Sequence, residues 1–152
     1  MEVIGGSGVM ETHIMPRLFR ESPVNAIWEG SGNVQCLDIL RAIDKQPEVL
    51  EAFFAEVGKA RGSDRRLDHF IEQLKQDFSK ATHDPMGMQY QARNFADRMA
   101  LSLQGALLQQ HAPTYVADAF IAGRLDGHSG LNYGNLPQGL DCASIIQRAS
   151  VE

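Results

Sequence analysis

The sequence predicts an all-α protein: an antiparallel helical bundle with an irregular N-terminal segment and an extended C-terminal tail. After residue 31, apolar residues recur at three- and four-residue spacing through most of the chain. Residues that begin helices precede these apolar runs, and glycines or prolines follow them. No stretch alternates apolar and polar residues with β-branched enrichment, so we expect no substantial sheet.

The N-terminal segment, residues 1–30, does not follow the helical pattern. The run Gly5-Gly6-Ser7-Gly8 interrupts any periodicity. A proline disfavours helical geometry in the residue before it, which we expect ahead of Pro16 and Pro23. Because so long an irregular stretch is unusual at the start of a compact domain, we interpret it as the end of a larger helical domain. Met1 to Ile4 is then predicted to be the last turn of an interrupted helix.

Start and stop signals divide the rest of the chain into five helices and a short closing one. Proline at a first helical position and Ser or Asp caps mark the starts. The predicted helices run from Ser31 to about Lys45, from Pro47 to Gly58 or Gly62, from Ser63 or Asp64 to Asp84, from about Met88 to His111, from Pro113 to near Gly127, and from Ala143 to Ala149 after Asp141. Residues 128–137 are predicted to lie extended, anchored by Leu131 and Tyr133.

Composition narrows the classes of function. The formal net charge is −5, from 14 Lys and Arg against 19 Asp and Glu, and a net acidic domain is poorly suited to general DNA binding. The tight basic cluster comprises Arg61, Arg65 and Arg66, with Lys59 adjoining it, and it favours a solvated helix start over a DNA footprint. No apolar run is long enough to span a membrane and no signal peptide is visible, so we expect no membrane partner and a cytoplasmic location.

The cysteines and histidines do not predict a metal site. Cys36 and Cys142 are far apart and outside any Cys-x-x-Cys pair, so we expect them to be reduced core thiols. The histidines show no spacing typical of metal ligands; they are His13, His69, His83, His111 and His128.

The stretch from Ile27 to Gln35 is the strongest candidate for a functional site. It places the Glu29 carboxylate beside Trp28, just before a helix whose first N–H groups have no partner within the helix. Such a position suits an anion, a carbonyl oxygen or a ring nitrogen of a ligand. The same residues also form a capping phrase, because a glutamate near a helix start is stabilised by the helix dipole. The residues alone leave both interpretations open.

Three phrases together resemble the C-terminal signature of the acyl-CoA dehydrogenase superfamily: Val3-Ile4-Gly5-Gly6-Ser7-Gly8, Pro16-Arg17-Leu18-Phe19-Arg20 and Trp28-Glu29-Gly30-Ser31-Gly32-Asn33-Val34-Gln35. The third phrase and two later ones are most similar to the branch associated with the adaptive response to alkylation; the later ones are Val116-Ala117-Asp118-Ala119-Phe120 and Gly134-Asn135-Leu136-Pro137-Gln138-Gly139-Leu140-Asp141. The resemblance covers nearly the whole chain but only the C-terminal part of a much longer protein. It assigns residues 1–46 to the end of the family's C-terminal helical domain and residues 47–152 to a helical extension.

The resemblance implies an acyl-CoA site around Glu29. Glu29 matches the catalytic base, which removes a proton from the carbon next to a thioester carbonyl while hydride passes to FAD. A solvated carboxylate is too weak a base for this step, so Trp28 and Ile27 are expected to form an apolar wall. Gly30 matches the position whose backbone lies against the substrate, where any side chain would intrude.

The resemblance also implies contacts with FAD. Ser31 and Asn33 match positions that approach the flavin, although the family usually has Thr and Glu or Gln there. Gly5 and Gly6 match a turn that approaches the flavin of a neighbouring subunit, which implies a homo-oligomer. The Arg-rich turn corresponds to Arg17 and Arg20, for which a surface salt-bridge cluster is an equally good interpretation.

Three functions remain open. The chain is part of an acyl-CoA dehydrogenase-like FAD oxidoreductase, or a DNA-binding module of the alkylation-response branch, or an oligomerisation domain formed by residues 47–152. Glu29 favours the first and kinship the second, against which the acidic charge counts. The family holds its flavin largely with a β-rich domain that this sequence lacks. We therefore expect the chain alone neither to retain FAD tightly nor to turn over an acyl-CoA.

Overall fold

The computed structural model describes residues 1–81, 84–127, 134 and 136–150, and it confirms the all-α fold. These residues contain no strand, and none of their helices is long and apolar enough to cross a membrane. Short 3-10 turns cover Glu2–Val9, Ser22–Ala26 and Gly58–Ala60. The α-helices are α1 (Met15–Glu21), α2 (Gly32–Lys45), α3 (Glu48–Val57), α4 (Arg65–Ala81), α5 (Pro85–Tyr90), α6 (Ala92–His111), α7 (Thr114–Arg124) and α8 (Cys142–Ala149).

The N-terminal segment consists of short 3-10 turns before and after α1. Met1 to Ile4, predicted as the last turn of an interrupted helix, lies at the first of these turns. Its first 3-10 turn breaks at Gly5, where φ is +66°. The predicted effect of the prolines was wrong, because Ser22 has helical dihedral angles (φ −59°, ψ −34°) directly before Pro23. Both Pro16 and Pro23 lie in the first turn of a helix. Proline is tolerated there because the N–H that it lacks would not form a hydrogen bond within the helix.

Most predicted helix starts are confirmed, and two of them show the expected side-chain cap. Asp64 Oδ1 accepts a 2.8 Å hydrogen bond from the Arg66 backbone N–H at the start of α4. Asp141 Oδ1 accepts one of 3.1 Å from Ser144 N–H at the start of α8. Pro47 immediately precedes α3, as predicted.

The predicted fourth helix is two helices. Asp84 Oδ1 accepts a 3.0 Å hydrogen bond from Gly87 N–H and caps the short helix α5. The chain then turns at Gln91 (φ −96°, ψ 10°), whose carbonyl accepts the first hydrogen bond of α6, from Phe95 N–H at 3.1 Å. A Cβ at Gly87 would lie 2.2 Å from Asp84 Oδ2, so this cap requires glycine there. Periodicity alone did not separate the two helices.

The core contains two clusters that share α6, the first through its C-terminal half and the second through its N-terminal half. The first joins α3, α4, α6 and α7, and its buried members are Val57, Ala60, Leu67, Ile71, Ala106, Ile121 and Leu125. The second joins α2, α4 and α6, and its buried members are Leu40, Leu74, Phe78, Ala92 and Phe95. Gly105 lets helices approach closely, because a Cβ there would lie 3.0 Å from Leu67 Cδ1. The second cluster attaches α2, and therefore the candidate site, to the bundle.

The other predictions have mixed outcomes. Leu131, Tyr133, His83 and His128 lie outside the described residues. Both cysteines are free thiols. Cys36 is half-buried and packs against the second core cluster, whereas Cys142 is exposed at the first residue of α8 and is not a core thiol. Within the described ranges, no three His, Cys, Asp or Glu side chains come together as metal ligands.

An ion-pair cluster connects the start of α4 to α7. Arg66 Nη2 lies 2.6 Å from Asp64 Oδ2 and 2.6 Å from Asp118 Oδ1. The hydrogen bond from Arg66 holds the pKa of Asp64 below its ordinary value, while partial burial opposes that shift. Since the pKa is lower in the folded state, this stabilisation is present above the unfolded pKa of about 3.9 and is lost as the pH falls through the folded value.

We therefore expect the Arg66→Met variant to lose about 1 kcal/mol of stability at neutral pH, because the cluster is partly exposed. The loss should shrink as the pH falls below about 4. Urea unfolding at a series of pH values measures both effects. Arg65→Met, next to it on α4, is the matched control and should change neither. A loss for Arg66→Met that is equal at neutral and acidic pH would contradict the ion-pair explanation.

Candidate functional site

The candidate site is a tight left-handed turn between the 3-10 turn Ser22–Ala26 and α2. The backbone N–H groups of Ile27 and Trp28 both donate to the Val24 carbonyl, at 3.0 Å each. Glu29 then has φ +60° and Gly30 has φ +110°. Among the non-glycine residues that the structure describes, Glu29 alone has a positive φ. For an L-residue other than Gly, Asn or Asp this conformation costs about 1–2 kcal/mol, which the surrounding structure has to offset.

The Glu29 side chain is exposed on this chain. Trp28 and Ile27, the predicted apolar wall, are 59% and 64% exposed. The wall is therefore apolar in composition but open, and these two side chains do not exclude water from the carboxylate within this chain. Sequence reasoning placed the residues in one turn correctly, but it did not find their exposure, which depends on what packs against the turn.

The first turn of α2 lies beside a cation from a distant part of the chain. Ser31 is the N-cap residue, in extended geometry, but its hydroxyl makes no capping hydrogen bond. Arg93 on α6 donates from Nε to Asn33 Oδ1 at 3.4 Å, and its Nη2 lies 3.6 Å from where a Cβ on Gly32 would be. Arg93 is 60 residues from Asn33 in sequence, so no local pattern could have predicted this approach.

An open depression of about 580 Å³ lies next to this helix start. It is lined by Gly32, Cys36, Arg93, Asn94 and Asp97. Uncapped helical N–H groups and a guanidinium on one side favour phosphate and hydroxyl oxygens of a ligand. The basic Arg93 and the acidic Asp97, both on α6, line the same depression, so it is polar rather than purely cationic.

The predicted glycine turn, in Glu2–Val9, is separate in sequence from the Glu29 turn and packs against α1. Gly5 and Gly6 are open on this chain, since a Cβ at either would meet nothing within 4 Å. Gly8, which the sequence did not single out, is the closely packed glycine: its Cβ would lie 3.0 Å from the Met1 carbonyl oxygen. An approach of another molecule to Gly5 and Gly6 is therefore sterically open.

In the Arg-rich turn, one of the two arginines forms a salt bridge. Arg20 donates from Nη1 and Nη2 to the two carboxylate oxygens of Glu11, at 2.7 and 3.1 Å. This hydrogen bond lowers the pKa of Glu11. Arg17 is exposed on α1. The salt-bridge interpretation thus describes Arg20 in this structure.

The basic cluster considered for DNA is partly neutralised by neighbouring carboxylates. Lys59 Nζ lies 2.5 Å from Glu56 Oε2. Arg66 is shared between Asp64 and Asp118, as described above. An ion-paired cation releases fewer counterions when it meets a phosphate, so this cluster is a weak electrostatic footprint.

Comparison with known proteins connects this geometry to a family. Residues 1–43 match the model for the acyl-CoA dehydrogenase C-terminal domain. The chain is 37% identical over 131 residues, 86% of its length, to the putative acyl-CoA dehydrogenase AidB of Escherichia coli (strain K12). It is 31% identical over 141 residues to acyl-CoA dehydrogenase family member 11 of Caenorhabditis elegans. The chain belongs to the acyl-CoA dehydrogenase family.

Membership accounts for the position of the candidate turn, which falls inside the matched residues 1–43. The similarity to AidB extends beyond this domain model into the later helices, as the coverage of the chain requires. The chain spans 23% of the length of AidB and 22% of the length of the nematode relative, in both cases less than a quarter.

Proposed function

We propose that the chain supplies the catalytic base, Glu29, of an acyl-CoA dehydrogenase-like flavoprotein that introduces an α,β double bond into an acyl-CoA thioester. The observation that carries the proposal is the left-handed turn of Glu29 and Gly30 at the start of α2. Backbone strain at an exposed carboxylate, with a glycine next to it, is typical of a residue held for function. Family membership gives that function a reaction class.

The reaction assigned to this turn is a paired proton and hydride removal. The Glu29 carboxylate takes the proton from the carbon next to the thioester carbonyl, and the electron pair of that C–H bond forms the double bond as hydride leaves the neighbouring carbon. When bound, the flavin supplies the hydride acceptor. Gly30 carries no side chain, so a thioester can lie against its backbone. Trp28 provides apolar surface on which an acyl group can pack.

The residues at the start of α2 fit the polar part of a flavin dinucleotide. The Ser31 hydroxyl is not used as a cap, and the first N–H groups of α2 have no helical acceptor. Arg93 adds a guanidinium beside Asn33. These donors suit phosphate or ribityl oxygens. Since Glu29 and Trp28 are open on this chain, we infer that groups outside it close the site and hold the flavin. Residues 1–46 contribute Glu29 and the start of α2, and residues 47–152 contribute Arg93.

Two spectra test the proposal. The natural protein that carries this chain, purified with its flavin, should lose its visible flavin absorption when mixed anaerobically with an acyl-CoA. The 152-residue chain purified alone should show no stoichiometric flavin band. Flavin that an acyl-CoA series fails to bleach would contradict the reaction, and a flavin band on the chain alone would contradict the inference that other groups hold the cofactor.

A second proposal concerns assembly, and a separate observation supports it. Most of the exposed large apolar side chains lie within the first 39 residues; they include Val3, Val9, Met10, Ile14, Leu18, Phe19, Val24, Ile27, Trp28 and Val34. Such a concentration of exposed apolar side chains in one segment is typical of a contact between proteins. Because the open Gly5-Gly6 turn belongs to the same segment, we infer that a second copy of the protein packs here.

We expect the Leu18→Glu/Phe19→Glu double variant to reduce the molar mass of the natural protein, since two charges would be buried in the contact. Light scattering after gel filtration measures the mass. Met86→Glu is the matched control, because Met86 is 84% exposed on α5 and lies outside this segment. An unchanged mass for the double variant would argue against self-assembly through α1.

A further inference from the structure

The side chain of Gln35 holds the carbonyl group of the candidate turn. Its Nε2 donates a 3.0 Å hydrogen bond to the Gly30 carbonyl oxygen, five residues earlier in the chain. The Gln35 backbone N–H also donates to the Ser31 carbonyl, at 3.1 Å. One residue in the first turns of α2 therefore fixes two successive carbonyl groups of the preceding turn.

This contact reaches the dihedral angles that orient Glu29. The carbonyl of Gly30 lies one residue after Glu29, so a rotation about the Gly30 bonds would carry the Glu29 backbone with it. Both residues have positive φ, a conformation that an isolated glutamate leaves readily. The aliphatic part of Gln35 is also close, since a Cβ on Gly30 would lie 3.9 Å from Gln35 Cγ. Gln35 is thus in direct contact with the turn that needs support.

We propose that Gln35 is a positioning residue, whose side-chain amide holds the Gly30 carbonyl and so keeps the Glu29 carboxylate directed toward the substrate. The proposal rests on Glu29 being the base. An amide suits this role because it donates at every pH at which the protein works, whereas a carboxylate has no proton to donate. Gln35 has no part in the chemistry itself, because its amide is already bonded to the turn.

A spectroscopic measurement tests the turn without any catalysis. Trp28 is the single tryptophan of the 152-residue chain and directly precedes Glu29, so its fluorescence reports the turn. In Gln35→Met, which keeps the length but removes the donor, we expect a shifted Trp28 emission with an unchanged helical circular dichroism spectrum. Gln73→Met, at an exposed glutamine of α4, is the matched control and should change neither.

The variant Gln35→Glu adds a pH-dependent readout. A protonated carboxyl group can donate to the Gly30 carbonyl, but the carboxylate formed above a pKa of about 4.3 cannot. Measured against Gln35→Met at the same pH, the emission of Gln35→Glu should return toward that of the wild type in acid. An emission difference that does not depend on pH would overturn the assignment of the hydrogen bond.

Kinetics of the flavin-loaded natural protein separate positioning from general stability. A misplaced base slows the chemical step, and a displacement of about 1 Å can cost on the order of 100-fold. We expect Gln35→Met to lower kcat about 10- to 100-fold while the KM for the acyl-CoA and the flavin content stay near their wild-type values. An unchanged kcat together with a shifted Trp28 emission would overturn the positioning role, as would a kcat loss that follows flavin loss.

The outcomes also separate this proposal from the proposed function. If Glu29→Gln leaves the rate unchanged, Glu29 is not the base and the proposed function fails, whatever Trp28 reports. If Glu29→Gln abolishes the rate but Gln35→Met matches the wild type in rate and in Trp28 emission, the proposed function stands and the positioning role fails.

Discussion

Replacing Glu29 with glutamine should slow acyl-CoA oxidation by the flavin-loaded protein about 10²- to 10⁴-fold, the usual contribution of a general base. Glutamine has nearly the same size and can occupy the same turn, but it has no carboxylate to accept the proton. Substrate binding should change little, because the carbon acid is neutral before the proton leaves. Anaerobic stopped-flow measurement of flavin bleaching gives the rate, and titration with a non-reducible thioester gives the affinity.

Two further variants distinguish chemistry from folding. Glu21→Gln, at the exposed end of α1, removes a nearby carboxylate that is outside the site and should keep the wild-type rate. Glu29→Gly should be as inactive as Glu29→Gln, yet its stability should rise by up to about 1 kcal/mol, since glycine accepts a φ of +60° without strain but is more flexible when unfolded. A wild-type rate for Glu29→Gln would show that another group removes the proton.

The expected opposite effects on stability and rate would explain why a glutamate occupies a position that glycine would fit better. The turn needs two successive residues with positive φ, and only the second is glycine. The strain at Glu29 is a local cost that the packing of α2 and the Gln35 hydrogen bond offset. Site and scaffold are therefore coupled through the first turns of α2.

The sequence was informative about helices that have their own local signals. Asp64 and Asp141 accept the capping hydrogen bonds that their positions predict, and Pro47 immediately precedes a helix. The division between α5 and α6 was missed because the apolar spacing continues across it. The phrase Asp84-Pro85-Met86-Gly87 contains the missing signal: an Asp cap with a glycine where a side chain would clash.

The candidate site likewise has a part that the sequence predicts and a part that it does not. Trp28, Glu29, Gly30 and Ser31 are neighbours in sequence, so a motif is enough to bring them together. The approach of Arg93 to the start of α2 depends on how α2 packs against α6, which no local pattern encodes. The carboxylate is exposed on this chain, although the resemblance implied an apolar wall around it, because Trp28 and Ile27 are themselves exposed.

The position of the site depends on the second core cluster, which contains the buried contact of α2. Leu40 is the buried α2 residue of that cluster, together with Leu74, Phe78 and Phe95. The ring centroids of Phe78 and Phe95 are 4.4 Å apart, and Phe54 packs edge-on against Phe78 at 6.2 Å. Phe78 is thus the middle ring of this aromatic stack and belongs to the same cluster as Leu40 of the helix that carries the site.

Phe78→Ala should lower the free energy of unfolding by about 3–5 kcal/mol, the cost of removing a buried aromatic ring and leaving a cavity. Urea unfolding of the chain, followed by circular dichroism, measures the loss. Phe19→Ala is the matched control: Phe19 is 60% exposed on α1, so its loss should stay within about 0.5 kcal/mol. If Phe78→Ala leaves too little folded protein, Phe78→Leu keeps most of the volume and should show a smaller loss in the same direction.

The loss of local stability in the Phe78 variants should also be uneven along the chain. Because Leu40 packs in the same cluster as Phe78, amide hydrogen exchange in Phe78→Leu should accelerate more in α2 than in α7, whose buried residues Ala117 and Ile121 lie away from that cluster. Trp28 emission should then shift as α2 loosens, although Phe78 is more than forty residues away in sequence. Equal acceleration in α2 and α7 would mean that the two clusters unfold as one unit and that the site is not attached through Phe78 in particular.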